Sequence, residues 1–152
     1  MLDNPGVIAF PPALYAGTLL IGLLLDSVFP IGFLPRSVAL ILGVLALICA
    51  ALIAISAFRV MNRARTAIHP SHPTTAIVSD GVFSLSRNPI YLSITLLYIG
   101  ITLLFSALWA LLLLLPLLVI VQIGVVKREE IYLERKFGDE YLRYKTRVRR
   151  WV

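Results

Sequence analysis

Apolar residues form three long stretches in this chain, separated by shorter polar segments. The first stretch covers about residues 12–29 and the second about residues 37–58, while the third extends from Tyr91 to Val126. A transmembrane helix needs about 20 consecutive, mostly apolar residues, so each stretch is long enough to cross a bilayer. The pattern therefore predicts an all-α protein built from membrane helices.

The third stretch is too long for one ordinary span and barely long enough for two, so the charges decide between them. Two passes would bring the loop 59–90 and the tail 127–152 to one side, with every Lys and Arg except Arg36. Positive residues are enriched on the cytoplasmic side of membrane proteins, so the charges favour two passes over one. We predict a helical hairpin with spans of about 91–105 and 108–126, turning near Ser106.

The second stretch carries two sets of small residues at intervals of four, which predict a close contact with another helix. These residues are Ala39, Gly43, Ala46, Ala50 and Ala54. The tail mixes aromatic and charged residues, a composition typical of an interfacial helix, and Gly138 should interrupt it.

Composition supports the same class of protein. Of the 152 residues, 59% are hydrophobic and only 14% are charged, whereas soluble domains average about 25% charged. The net charge is +6, but its placement indicates membrane topology rather than a nucleic-acid surface, so no nucleic-acid partner is expected. The length favours one domain, 1–152, an integral membrane bundle of about four helices with a short interfacial helix.

Common soluble motifs for nucleotides, metals and nucleophilic catalysis are absent from the sequence. His69 and His72 lie three residues apart in a proline-rich loop, without a nearby cysteine or carboxylate. Such a pair makes a poor metal site, and we expect these histidines to be solvated loop residues. No metal is therefore expected.

Two polar segments at the ends of membrane helices are harder to explain as ordinary surface. The first covers residues 79–91 and leads through Arg87-Asn88-Pro89 into a membrane helix, whose unpaired N–H groups attract anionic groups. An ordinary capped helix start accounts for it equally well. The second covers residues 127–144 and begins with paired glutamates, Glu129 and Glu130. Its ordinary alternative is a solvated helix with weak surface ion pairs.

Together these segments resemble the isoprenylcysteine carboxyl methyltransferase family. That family includes related bacterial membrane methyltransferases and lies near the phospholipid N-methyltransferases. The matching motifs are T-x-x-V-S-D-G-V-F-x-x-S-R-N-P-I-Y-L from Thr75 and E-E-I-Y-L-x-x-x-F-G-x-x-Y-x-x-Y-x-x-x-V from Glu129. Their order and spacing match the family, and the resemblance covers about half of the chain.

The resemblance implies a site for S-adenosyl-L-methionine, formed on the cytoplasmic side by the loop 59–90 and the tail 127–152. The residues implied in cofactor binding are Thr75, Ala76, Ile77, Val78, Phe83, Asn88, Pro89, Ile90, Tyr91 and Glu129. Many relatives carry an arginine for the substrate carboxylate where this chain has Val125, and Lys127 and Arg128 are the nearest cations. The catalytic residues expected are therefore Glu129 and Arg128.

The expected function is methyl transfer to a lipophilic acceptor that enters from the bilayer. The acceptor would be an isoprenylcysteine-like carboxylate or another lipid-like acid, thiol or amine, and membrane lipids would be the surrounding partners. The expected location is the inner membrane of a bacterium. Two alternatives remain, an NADPH-dependent membrane reductase of the sterol-reductase-like type and a non-catalytic membrane subunit with the same fold.

Overall fold

The computed structural model describes residues 5–66 and 74–152, which are mostly helical and contain no β-strand. His69 and His72 lie outside the described residues. The helices, in chain order, are α1 (Pro11–Val28), α2 (Arg36–Arg63), α3 (Pro89–Phe105), α4 (Leu108–Val121), α5 (Lys127–Phe137) and α6 (Asp139–Arg147). A short 3-10 helix, Gly81–Ser84, precedes α3, and a π-helical turn, Gln122–Val126, joins α4 to α5. The all-α prediction is confirmed.

Three helices are long and apolar enough to cross a membrane. They are α1, α2 and the continuous helix Leu108–Phe137, with mean hydropathies of 1.4, 3.1 and 2.7 over their best windows. The shorter α3 is also apolar. Large apolar side chains such as Leu20, Ile41 and Leu115 are exposed on the outside of the bundle, where lipid tails rather than water would surround them. The chain is an integral membrane protein.

The helical hairpin turns where the sequence predicted. Helix α3 ends at Phe105, and Ser106 adopts a left-handed backbone conformation with φ of 54°. The N–H groups of Ser106 and Ala107 donate to Leu103 and Thr102, both at about 3 Å, and so pair carbonyls at the end of α3. Helix α4 then begins at Leu108, so two residues are enough to reverse the chain.

The other boundaries differ from the expected ones in two places. Helix α2 continues to Arg63, five residues beyond the predicted end, and Arg65 then takes a positive φ of 51°. The first part of the tail is not a separate helix, because α5 follows the π-helical turn without a break. The chain bends away only at Gly138, as expected, where φ is 52° and a glycine avoids the steric cost of that conformation.

Small residues bring the helices together in two pairs. Helix α2 packs mainly on α3, and α1 packs mainly on α4. Any side chain on Gly43 would approach the Gly100 carbonyl oxygen of α3 to 3.1 Å, while a Cβ on Gly22 would overlap Ala110 of α4. The small-residue contact predicted for α2 is therefore present, and its partner is α3. Tyr98 of α3 and Leu117 of α4 lie in the buried core between the pairs.

Candidate active site

A large cavity, of about 860 Å³, lies between the two helix pairs and the end of the chain. Helices α1, α2 and α3 form most of its walls, and α5 and α6 close one end. Ligand pockets in proteins usually measure roughly 300–1,000 Å³, so this cavity can hold a cofactor-sized molecule with room for part of a second ligand.

The two sequence motifs meet at this cavity. Pro89 occupies the first turn of α3, where a missing N–H leaves no helical hydrogen bond unmade, and Tyr91 follows in the same turn. The Tyr91 hydroxyl donates a hydrogen bond of 2.6 Å to Oε1 of Glu129 in α5. Both side chains line the cavity. Residues 38 positions apart in the sequence thus form one polar contact at the cavity wall.

Nine of the ten residues expected to bind the cofactor line the cavity. They are Ala76, Ile77, Val78, Phe83, Asn88, Pro89, Ile90, Tyr91 and Glu129. The exception is Thr75, whose N–H donates to the Thr66 hydroxyl and whose hydroxyl donates to the Arg65 carbonyl. These bonds hold Thr75 against the end of α2, and the neighbouring Thr74 lines the cavity instead.

Arg128, the expected substitute for the family's substrate arginine, lies outside the cavity lining. It is exposed, and its guanidinium donates to the Gly6 carbonyl at 2.8 Å. Lys127 is also exposed, and Val125, at the position of the missing arginine, is fully buried in the core. Among the described residues, the cation that lines the cavity is Arg87.

Arg87 belongs to a buried ionic cluster that sequence reasoning missed. The Arg87 and Glu130 side chains are each only 8% exposed, and they form an ion pair at 3.2 Å. Arg150 approaches the same carboxylate with two nitrogen atoms, each at 2.8 Å, and the hydrogen bond to Glu130 raises the pKa of Arg150. Glu130 is therefore a buried structural carboxylate, not the solvated residue that a helix of mixed charge suggested.

The guanidinium of Arg87 keeps unused hydrogen-bonding capacity. Its Nε and Nη1 atoms are buried and donate no hydrogen bond within the described structure, although Nη1 lies near Glu130. A buried donor without an acceptor is costly, so such groups commonly mark the place of a ligand or of water. Arg87 can therefore bind an anionic group inside the cavity.

Two tyrosines of α6 complete this end of the cavity. The Tyr144 hydroxyl donates to the Phe83 carbonyl at 2.7 Å, which ties α6 to the 3-10 helix. Burial raises the pKa of Tyr144, and burial, followed by the charge of Glu130, raises the pKa of Tyr141 to about 12. Both hydroxyls therefore stay protonated near neutral pH. The spacing of aromatic residues in the tail motif was the signal for them.

The cavity has a polar end and an apolar end. Asn88, Arg87, Glu129 and the tyrosines lie at the end closed by α5 and α6. The other end is lined by Leu47, Ala50, Ala54, Leu97 and Ile101 on α2 and α3. A molecule with a charged group and an apolar chain would match this division.

Comparison with known proteins adds a family. The family model described as phospholipid methyltransferase matches residues 38–140, which include α2 from its third residue, α3 to α5 and the start of α6. An uncharacterized protein from Haemophilus influenzae is 64% identical over 36 residues, which are 24% of this chain and 56% of that protein. The chain thus matches about half the length of that relative. No solved structure matches.

Proposed function

The chain belongs to the phospholipid methyltransferase family, and we propose that it transfers a methyl group from S-adenosyl-L-methionine to a lipophilic acceptor. Membership of this family supports a membrane methyltransferase, and the methyl donor and the acceptor are the finer parts of the proposal. The observation that carries the proposal is the Tyr91–Glu129 hydrogen bond, because it joins the two motifs at the wall of one large cavity.

The residues at the polar end fit such a cofactor. When bound, S-adenosylmethionine supplies a methyl group already activated by a positive sulfonium. Glu129 has a carboxylate at the cavity wall and no cationic partner among the described residues, so it can offset positive charge or accept hydrogen bonds from ribose hydroxyls. Arg87 offers donors for a carboxylate, and aromatic side chains such as Phe83 can lie against a cation or an adenine ring.

Little acid–base chemistry is required for this reaction. The protein's part is to hold the acceptor and the methyl group in line and to exclude water. Tyr91 fixes the orientation of Glu129, and the Ala76–Val78 segment lines the cavity with apolar side chains. An acid or thiol acceptor needs no base once it is ionised, whereas an amine must first lose a proton.

We propose that the acceptor enters from the bilayer between α1 and α2. Both helices line the cavity, but within the described residues α1 packs on α4 and α2 packs on α3, and no extensive contact joins α1 to α2. The apolar end of the cavity is lined partly by α2, one of the two helices that border this gap, which suits an acyl or prenyl chain. The polar end would then face the cytoplasm, as the positions of Lys and Arg suggest, and the membrane would be a bacterial inner membrane.

Cofactor binding by the purified protein in detergent is the direct test. Calorimetry should detect S-adenosylmethionine binding and competition by S-adenosylhomocysteine, and Glu129→Gln serves as the matched site variant. Tight NADPH binding without a response to either sulfur compound would favour a reductase, and binding of neither would favour a non-catalytic subunit.

The acceptor requires a second assay, with radiolabelled cofactor. Prenylcysteine analogues, ethanolamine phospholipids and small water-soluble thiols should be compared under the same conditions. We expect turnover to increase with the length of the apolar chain. Efficient turnover of the soluble thiols, independent of chain length, would contradict entry from the bilayer.

A further inference from the structure

Residues 148–152, here called the strap, run back after α6 to the residues that lead into α3 and to α5. The carbonyl of Arg149 accepts the N–H of Arg87 at 3.0 Å. The carbonyl of Arg150 accepts two side-chain hydrogen bonds, one from Ser86 at 3.3 Å and one from Asn88 at 2.9 Å. The strap thus bonds to three consecutive residues that lead into α3.

The strap is also fastened to the opposite wall of the cavity. The Arg150 guanidinium binds both oxygens of Glu130 in α5, in the bidentate geometry that gives strong and directional pairing. The Trp151 indole N–H donates to the Gln122 side chain in the π-helical turn at 3.0 Å, and its ring packs against the buried core. One short segment therefore connects the start of α3 to α5.

We propose that Arg150 is a positioning residue for the cofactor site, acting through Asn88 and Glu130. This inference rests on the proposed function. The main-chain oxygen of Arg150 holds the Asn88 amide nitrogen, and the Asn88 amide oxygen, which accepts no hydrogen bond from the described residues, remains available at the cavity wall. The Arg150 side chain holds Glu130, and Glu130 in turn holds Arg87.

A role in positioning follows from the way the two cavity walls, the start of α3 and α5, are connected. Asn88 and Tyr91 belong to the start of α3, Glu129 and Glu130 belong to α5, and direct contact between these walls is limited to a few polar side chains. A second connection fixes their separation and relative rotation. Displacements of about 1 Å in an active site can cost about a hundredfold in rate, so this connection should affect ligand binding and turnover.

The test compares Arg150→Met with Arg143→Met and Arg150→Lys. Arg143 is an exposed arginine of α6, so Arg143→Met removes the same charge without touching the cavity or the strap. We expect Arg150→Met to weaken S-adenosylhomocysteine binding by about tenfold or more and Arg143→Met to leave it within about twofold. Arg150→Lys keeps the charge but not the bidentate geometry, so its affinity should be intermediate.

Two further measurements separate positioning from a general structural role. The thermal unfolding midpoint of the ligand-free protein would fall in proportion to the loss of affinity if Arg150 only supported the fold. Positioning predicts instead that the affinity falls while this midpoint changes little, and that the double variant Arg150→Met/Glu130→Gln binds no worse than whichever of the two single variants has the lower affinity, because both act through one connection. Equal affinity in Arg150→Met and Arg143→Met, or additive losses in the double variant, would overturn the inference.

If Arg150→Met does not fold, Arg150→Lys carries the test, and wild-type affinity in that variant would overturn the inference. Failure of the proposed function would look different, because the unmodified protein would then not bind S-adenosylhomocysteine at all. Binding by the unmodified protein together with unchanged binding by Arg150→Met would refute only the role of the strap.

Discussion

Replacing Glu130 with glutamine should destabilise the fold, whereas the same replacement at Glu129 should mainly weaken cofactor binding. The two glutamates are neighbours in α5, but they have different partners. Glu130 is 6% exposed and binds Arg87 and Arg150, whereas Glu129 accepts a hydrogen bond from Tyr91 at the cavity wall. One substitution at two adjacent positions therefore separates a structural carboxylate from a ligand-binding one.

The magnitude at Glu130 follows from the burial of its partner. Without the carboxylate, Arg87 stays 8% exposed and loses its counter-charge. Removing one member of a buried ion pair costs roughly 3–5 kcal/mol, mainly because a buried charge is left uncompensated. Arg150 can turn toward solvent, so we expect the low end, about 3 kcal/mol. For a chain of this length, that corresponds to a fall of about 6–12 °C in the unfolding midpoint.

The magnitude at Glu129 concerns the ligand instead. Glutamine has the same shape, and its amide oxygen can still accept the Tyr91 hydrogen bond, so stability should change little. A hydrogen bond to a charged group is worth about 1.5–3 kcal/mol, which predicts about ten- to a hundredfold weaker cofactor binding. Thermal unfolding in a fixed detergent measures the first effect, and calorimetry with S-adenosylhomocysteine measures the second. Equal falls in stability for both variants, or an unchanged midpoint for Glu130→Gln, would refute this reasoning.

Three further predictions test the topology, the packing and the site. Reporter fusions after Arg65 and after Val152 should both indicate the cytoplasm, and opposite sides would contradict the hairpin. Gly22→Ala should lower the free energy of unfolding by about 1–3 kcal/mol, because its side chain would overpack against α4. Gly17→Ala, with no atom within 4 Å of its Cβ, should leave stability unchanged, and equal unfolding midpoints for the two variants would refute the close α1–α4 contact. Tyr91→Phe should weaken S-adenosylhomocysteine binding by about tenfold in calorimetry, and unchanged affinity would show that the Glu129 contact is not used.

The helices could be predicted from the sequence because hydropathy reports directly on the bilayer. The membrane helices and the turn at Ser106 followed from the length of the apolar stretches and the placement of charge. The end of α2 was missed because the prediction ended the helix where the sequence becomes polar, after residue 58. Arg59 to Arg63 are compatible with helix, and the backbone leaves it only at Arg65.

The site could be predicted only where its residues belong to local motifs. The residues from Ala76 to Tyr91 that line the cavity lie close together in the sequence, and the resemblance to a family supplied them. The ionic cluster of Arg87, Glu130 and Arg150 was missed because its members are 20 to 63 positions apart. Each residue alone looks like ordinary surface charge, and only the fold shows that they are buried together.

The π-helical turn at Gln122–Val126 gives a physical reason why Arg128 does not reach the cavity. Such a turn accommodates one extra residue, so every later side chain is rotated by about one position, or about 100°, relative to a regular α-helix. In an uninterrupted helix, the direction that Glu129 takes would belong to residue 128. The turn also exposes the Gly124 carbonyl, which accepts the N–H of Ile8 at 3.2 Å. With this rotation, Glu129 points to Tyr91 and Glu130 to Arg150, while Arg128 points outward to Gly6. Hydropathy carries no signal for the turn, because only Gln122 among its five residues is polar. A prediction based on regular helical periodicity could therefore not have assigned these three directions.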